Sequence, residues 1–206
     1  MKSKVLLICM GIVLSLAGCG SKEIEIAEAM GCYTIDVYSY EALAGDADYV
    51  MIGKVVEELG VKYEFPVMTE NEDGTQKEVS MPYTEYSVEV IENLKGELSQ
   101  EEPITITKDG GMTEDGKFCE LYERDTLPVK GNEYVFYVYA QEDGRNLVSG
   151  PNSSIPLSDN RKELSTISEK AMLDRESILE KVRNGVANQI DTGSEKGISK
   201  DDASVK

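Results

Sequence analysis

Histidine and tryptophan are absent from these 206 residues, and each absence narrows the chemistry open to the chain. Without histidine there is neither the usual general base near neutral pH nor the commonest transition-metal ligand. Ser-His-Asp hydrolases, Cys-His enzymes and histidine-ligated zinc sites are therefore disfavoured. Carboxylate chemistry survives, because Asp and Glu number 39. Positive charge is scarce: 21 Lys and Arg leave a net charge of −18. Phosphate backbones and anionic lipid head groups repel a surface this acidic, so nucleic acid is not an expected partner. Apolar runs are short too. The one that opens the chain, Val5 to Leu16, falls below the roughly 20 residues a bilayer-spanning helix needs.

That short run is informative for what flanks it. Met1-Lys2-Ser3-Lys4 precedes it and Leu16-Ala17-Gly18-Cys19 closes it, the layout of a secretory leader with small residues before a cut. A cysteine directly after Leu-Ala-Gly resembles the lipobox of bacterial lipoproteins. The resemblance implies cleavage after residue 18, a diacylglyceryl group on the Cys19 thiol, and residence on the extracytoplasmic side of the cell membrane. An ordinary signal peptide followed by a chance cysteine is the alternative. Two acyl chains suffice for stable anchoring where one does not. Loss of Lys2 and Lys4 with the leader would leave the mature chain more acidic still, so the membrane is reached through lipid rather than a basic patch.

Four cysteines thus reduce to two. Cys9 leaves with the leader and Cys19 carries lipid, which leaves Cys32 and Cys119 in a compartment where disulfides persist. A Cys32–Cys119 bond is expected, and in the chain-entropy model it would contribute on the order of 4 kcal/mol. Two free, partly buried thiols are the alternative. One pair makes neither a C-x-x-C redox motif nor a zinc site.

Hydrophobic periodicity divides the rest. Residues 19–32 read as a tether, 33–184 as one domain and 185–206 as a polar, disordered tail. Tyr33–Tyr38 reads as a short leading strand, and Ser39–Ala44 as one or two helical turns ended by Gly45. Tyr49–Val56 is rich in β-formers, with Gly53 marking a bend, and Val61–Met68 continues it beyond an irregularity at Gly60. Tyr83–Leu94 alternates, with Tyr86, Val88 and Val90 on one face and Ser87 and Glu89 on the other. Pro103–Thr107 repeats the alternation, and Glu133–Ala140 is apolar on both faces, as a strand covered on two sides would be. Thr166-Ile167-Ser168-Glu169 fits a capping box. Ile167, Ala171, Ile178 and Val182 then form the apolar stripe of an amphipathic helix over 166–184, which Gly185 stops.

Glu-Asp-Gly occurs three times, at 72–74, 114–116 and 142–144. Between alternating runs, Asp-Gly signals a tight turn. An EF-hand loop is the functional rival, and it fails each time. Aligning the glycines puts Thr69 and Ser80, Gly111 and Tyr122, or Tyr139 and Gly150 where the first and twelfth ligands belong.

These segments predict a mainly β domain, a small antiparallel OB-like barrel with a C-terminal amphipathic helix. Ala47-Asp48, Val50–Val55, Thr84–Val90 leading into Leu94-Lys95-Gly96, then Gly110-Gly111 and Gly131–Phe136 resemble the netrin-like domains shared with tissue inhibitors of metalloproteinases. The resemblance covers roughly residues 47–157 and implies an OB-type barrel. It does not carry inhibition with it. Those inhibitors chelate zinc through a cysteine at the domain's N-terminus, whereas Cys19 would be lipidated and Cys32 is internal.

Candidate chemistry is thin. Asp36, Asp46 and Asp48 lack dedicated calcium spacing, and Ser153-Ser154 has no base partner in the sequence. Tyr134, Tyr137 and Tyr139, with Tyr83 and Tyr86, suggest either a stacking platform or a core, and apolar neighbours on both faces favour the core. No cofactor and no metal ligand set is expected. The sequence reads as a non-enzymatic binding module for an envelope protein or glycan. A factor that regulates a secreted enzyme is the alternative, and a hydrolase a distant third. The expected contact surface is the 83–94 strand face with the loops 69–80 and 109–118, which carry exposed polar and acidic residues.

Overall fold

A computed structural model describes residues 24–70, 73–157, 164–165 and 174–205. The leader, Cys19 and the 166–169 capping box lie outside the described residues. Among these residues eleven elements follow in order. They are β1 (Glu25–Ala29), α1 (Tyr40–Asp46), β2 (Tyr49–Glu70), β3 (Gln76–Lys95), β4 (Ile104–Asp109) and β5 (Gly111–Met112). After them come β6 (Phe118–Tyr122), β7 (Glu133–Ala140), β8 (Asn146–Val148), β9 (Ser154–Pro156) and α2 (Arg175–Ala187). The protein is mainly β. No described helix is long and apolar enough to cross a membrane.

Five strands close on themselves in the order β2-β3-β4-β8-β7, because β7 pairs back onto β2 with Tyr49 opposite Val138 and Lys54 opposite Glu133. β9 extends the ring along β7. Alternation decides what fills it. Met51, Val55, Tyr86, Val88, Ile106, Tyr134, Phe136 and Val148 point inward and are fully buried. The opposite faces of β2 and β7 present Val50, Ile52, Val135 and Tyr137, and these pack under α1 and α2 through Leu43, Ala44, Ile178 and Val182. β7 is thus covered on both sides, as its sequence predicts. The expected bend at Gly53 and irregularity at Gly60 appear as register shifts of the β2–β3 ladder at Ile52/Gly53 and Glu58/Gly60. The antiparallel expectation is corrected at two pairings: β4 and β8 run parallel within the ring, and β1 pairs parallel with β6.

The Asp-Gly segments are all turns, joining β2 to β3, β5 to β6 and β7 to β8. Gly74, Gly116 and Gly144 hold φ of +80°, +66° and +78°, values a side chain resists. The first turn ends a long arm. Beyond Val55, β2 pairs only with β3, so the two strands run past the ring as a ribbon that leaves Phe65, Val67, Met68 and Met81 exposed.

Several boundaries are corrected. Residues 25–29 of the expected tether form β1, because their backbone completes a sheet on β6. Residues 33–38 are irregular rather than a strand. Neither Gly45 nor Gly185 ends its helix; each lies inside one. A Cβ on Gly185 would sit 2.7–2.8 Å from Tyr40, and one on Gly45 would collide with the Ile190 carbonyl. Both glycines therefore serve close backbone approach rather than termination. α2 starts behind Asp174, whose carboxylate accepts from the Ser177 amide at 3.0 Å.

The tail is docked, not disordered. The Ile190 amide donates to the Glu41 carbonyl, Lys196 Nζ donates to the Gly45 and Asp46 carbonyls, and the Ser199 amide donates to the Tyr49 hydroxyl. Further along, the Ala203 amide reaches the Glu97 carbonyl at 2.7 Å. Lys95 Nζ takes the Ala44 and Ala47 carbonyls. Two lysines thus satisfy the carbonyls that the C-terminus of α1 leaves without helical partners.

The Cys32–Cys119 bond is also corrected, since both thiols are free. The β1–β6 register sets Ile26, not Cys32, beside Cys119. Even Ala29 is three residues further along, roughly 10 Å at strand rise, and Cys32 lies beyond it. A disulfide needs Cα atoms within roughly 7 Å. Cys119 faces inward with no exposed surface, and burial, with Glu120 nearby, pushes its thiol up to about 11.

Candidate binding cleft

The distal half of β3 and the β5–β6 turn converge. Lys77, Glu78, Val79 and Ser80 face Thr113, Glu114, Asp115 and Phe118 across a cleft of about 440 Å³. Local chemistry builds both walls. At the arm tip the Thr75 amide and hydroxyl both donate to Asp73 Oδ1, an Asx turn that lets the strands reverse. In the facing turn Asp115 Oδ1 accepts from the Thr113 hydroxyl at 2.9 Å and the Lys117 amide at 3.3 Å. These bonds hold the Asp115 carboxyl well below the usual range. Its other oxygen lies 3.5 Å from Lys77 Nζ and 3.2 Å from Lys117 Nζ, so the walls meet through an exposed ion pair. Such a pair contributes little to stability. The two expected loops, 69–80 and 109–118, are thereby brought together, although both are partly strand: 69–70 belong to β2, 76–80 to β3, and 111–112 to β5.

A second, smaller hollow of about 100 Å³ lies on the outer ring face, lined by Glu64, Phe65, Tyr83, Thr107, Gln141, Arg145 and Leu147. Phe65 meets Tyr83 edge-on at 6.0 Å. Arg145 bridges Glu64 at 2.9 Å and Asp143 at 2.6 Å. Burial, with Asp109 and Glu64 adding to it, pushes the Tyr83 hydroxyl up to about 12.

The remaining sequence candidates are structural. Asp46 accepts from the Thr192 and Ser194 hydroxyls, Asp48 from the Gly197 and Ala140 amides, and Asp36 from the Tyr38 amide. Two of the three therefore anchor the tail. Among the described residues no group of three or more Cys, Asp or Glu is placed to hold a metal ion. Tyr86, Tyr134 and Tyr137 are fully buried, so they are core and not a platform. Cys32 and Tyr33 line a shallow hollow of about 280 Å³ with Tyr122 and Tyr139.

One constellation was missed by sequence reasoning. Lys108 Nζ contacts Asp125 Oδ2 with both side chains fully buried, and it lies 3.2 Å from Ser153 Oγ. The only available signal was a lysine at an inward position of the Ile104–Asp109 alternation. Ser153 therefore does have a basic neighbour, and it is 1% exposed. Burial pushes the Asp125 carboxyl up to about 6, with Lys108 pulling the other way.

No family model matches the chain, and no curated protein matches it.

Proposed function

We propose that the chain is a bacterial lipoprotein, anchored through Cys19 on the extracytoplasmic face of the cell membrane, that binds an envelope protein or glycan without turning it over. The anchor rests on Leu16-Ala17-Gly18-Cys19 behind a basic start and a short apolar run. The domain is read as an OB-type barrel related to netrin-like modules. Five strands closed by the β2–β7 pairing, with β2 and β3 running on past the ring as a paired arm, support that reading, since OB-type barrels bind through one sheet face and its flanking loops. Fold alone is analogy, so the site carries the argument.

The carrying observation is the cleft between β3 and the β5–β6 turn. It sets the exposed ring of Phe118 and the half-buried Val79 beside the exposed charges Lys77, Glu78 and Glu114. That mixture suits recognition of a partner rather than acid–base chemistry, which needs positioned groups with tuned protonation. The test places a photoreactive side chain at Ser80, at Glu114, or at Glu180 on the exposed side of α2 in the full chain in living cells. Cross-links from 80 and 114 to one envelope component, absent from 180, are expected. Equal labelling from all three, or none from the cleft, overturns the reading.

A further inference from the structure

The Lys108–Asp125 pair lies in surroundings that suit a reaction between its members. Lys108 sits on β4 and Asp125 in the 123–132 connection, and neither side chain has any exposed surface. Asp125 Oδ1 accepts from the Thr126 amide at 2.9 Å, while Oδ2 lies against Lys108 Nζ. On its far side Nζ has the Val148 carbonyl at 3.4 Å and the Ser153 hydroxyl at 3.2 Å. Two full charges are poorly accommodated without water, and a buried ion pair is often no better than a neutral replacement of similar shape.

We propose that Lys108 and Asp125 condense into an intramolecular isopeptide bond. The ammonium first passes one proton to Oδ2, giving a neutral amine and a carboxylic acid. Burial shifts the Asp125 carboxyl toward that acid form. The Nζ lone pair then attacks Cγ, and negative charge develops on Oδ1, where the Thr126 N–H already points. As the Nζ–Cγ bond becomes an amide, the Cγ–Oδ2 bond breaks, and Oδ2 leaves as water with the acid proton and one amine proton. No oxidant, reductant or cofactor enters the balance. The product fits the site: its single N–H has Val148 O and Ser153 Oγ within reach, and its carbonyl keeps the Thr126 amide. Exclusion of water protects the bond from hydrolysis. The link would staple β4 to the β6–β7 connection, constraining the unfolded chain as a disulfide does, in a protein whose two described thiols are free.

Tryptic mapping of the purified, denatured full chain tests this directly. Trypsin does not cut after an acylated lysine, so residues 96–117 should emerge as one peptide joined to 125–130 and lighter than the sum by one water. In Asp125→Ala the junction disappears and peptide 96–108 is released, an outcome read on denatured chain whether or not the variant folds. Water loss alone does not suffice, since Asp73-Gly74, Asp115-Gly116 and Asp143-Gly144 can cyclise. Release of free 96–108 from the unmutated protein, with no branched peptide, overturns the proposal.

Discussion

The Tyr49 hydroxyl donates to Asp202 at 2.7 Å and accepts from the Ser199 amide at 3.0 Å, so one side chain at the start of β2 holds the last described turn of the chain. Tyr49 is only 4% exposed, and its ring belongs to the ring-interior cluster. The tail is thus fixed to the core by a polar atom at the end of an apolar side chain.

Tyr49→Phe removes both bonds and leaves the ring in place. Residues 196–205 should then become sensitive to trypsin at Lys196 and Lys200 while the thermal midpoint moves little. Alkali should do the same to the unmutated protein. Burial pushes the Tyr49 hydroxyl from 10.0 up to about 12, so between those values the folded state binds more protons than the unfolded one. The slope of unfolding free energy with pH is then negative, and the stability is lost as pH rises through that window. Limited proteolysis across pH 9 to 12 reads it, and a tail equally protected in Tyr49→Phe contradicts the assignment.

Gly185→Ala should destabilise. In an open helix the change gains about 1 kcal/mol. Here the new methyl would lie 2.7 Å from Tyr40 Cβ and 2.8 Å from its backbone, which forces α1 and α2 apart at a cost of about 1–3 kcal/mol. Urea unfolding would show the sign.

The two thiols should report separately. Cys32 is exposed and should take maleimide rapidly. Cys119, buried with its thiol raised to about 11, should be labelled only through opening of the fold. Mass tagging with and without urea distinguishes this from a bonded pair, which would take no label in either state.

Shortening the arm should separate binding from folding. Val67 pairs with Val79, so replacing residues 68–78 by Asn-Gly closes the ribbon with a two-residue turn. The thermal midpoint should hold within a few degrees, while cross-linking from position 114 is lost. Retained cross-linking would move the site away from the cleft.

The anchor is checked by growing cells with a palmitate analogue. Label should enter the unmutated chain and be absent from Cys19→Ala. Equal label in both would remove the lipoprotein reading.

What the sequence determined by itself was local. Alternation at Tyr86, Val88 and Val90 marked an inward face, Asp-Gly marked turns, and the two-sided apolar run at 133–140 marked the strand that touches both cores. These signals are legible because period and turn chemistry act between near neighbours. The tertiary structure decided everything that depends on distant backbone. The parallel β4–β8 pairing leaves no trace in either strand. Gly45 and Gly185 looked like helix stops, because a glycine needed for close packing carries the same letter as one needed for positive φ. The 185–206 tail looked disordered because it is polar. Its partners are the carbonyls of α1 and the Tyr49 hydroxyl, and hydrogen bonds to them require no apolar side chain. Lys108 and Asp125 meet only because β4 and the 123–132 connection are brought against each other, and burial there makes their charges matter.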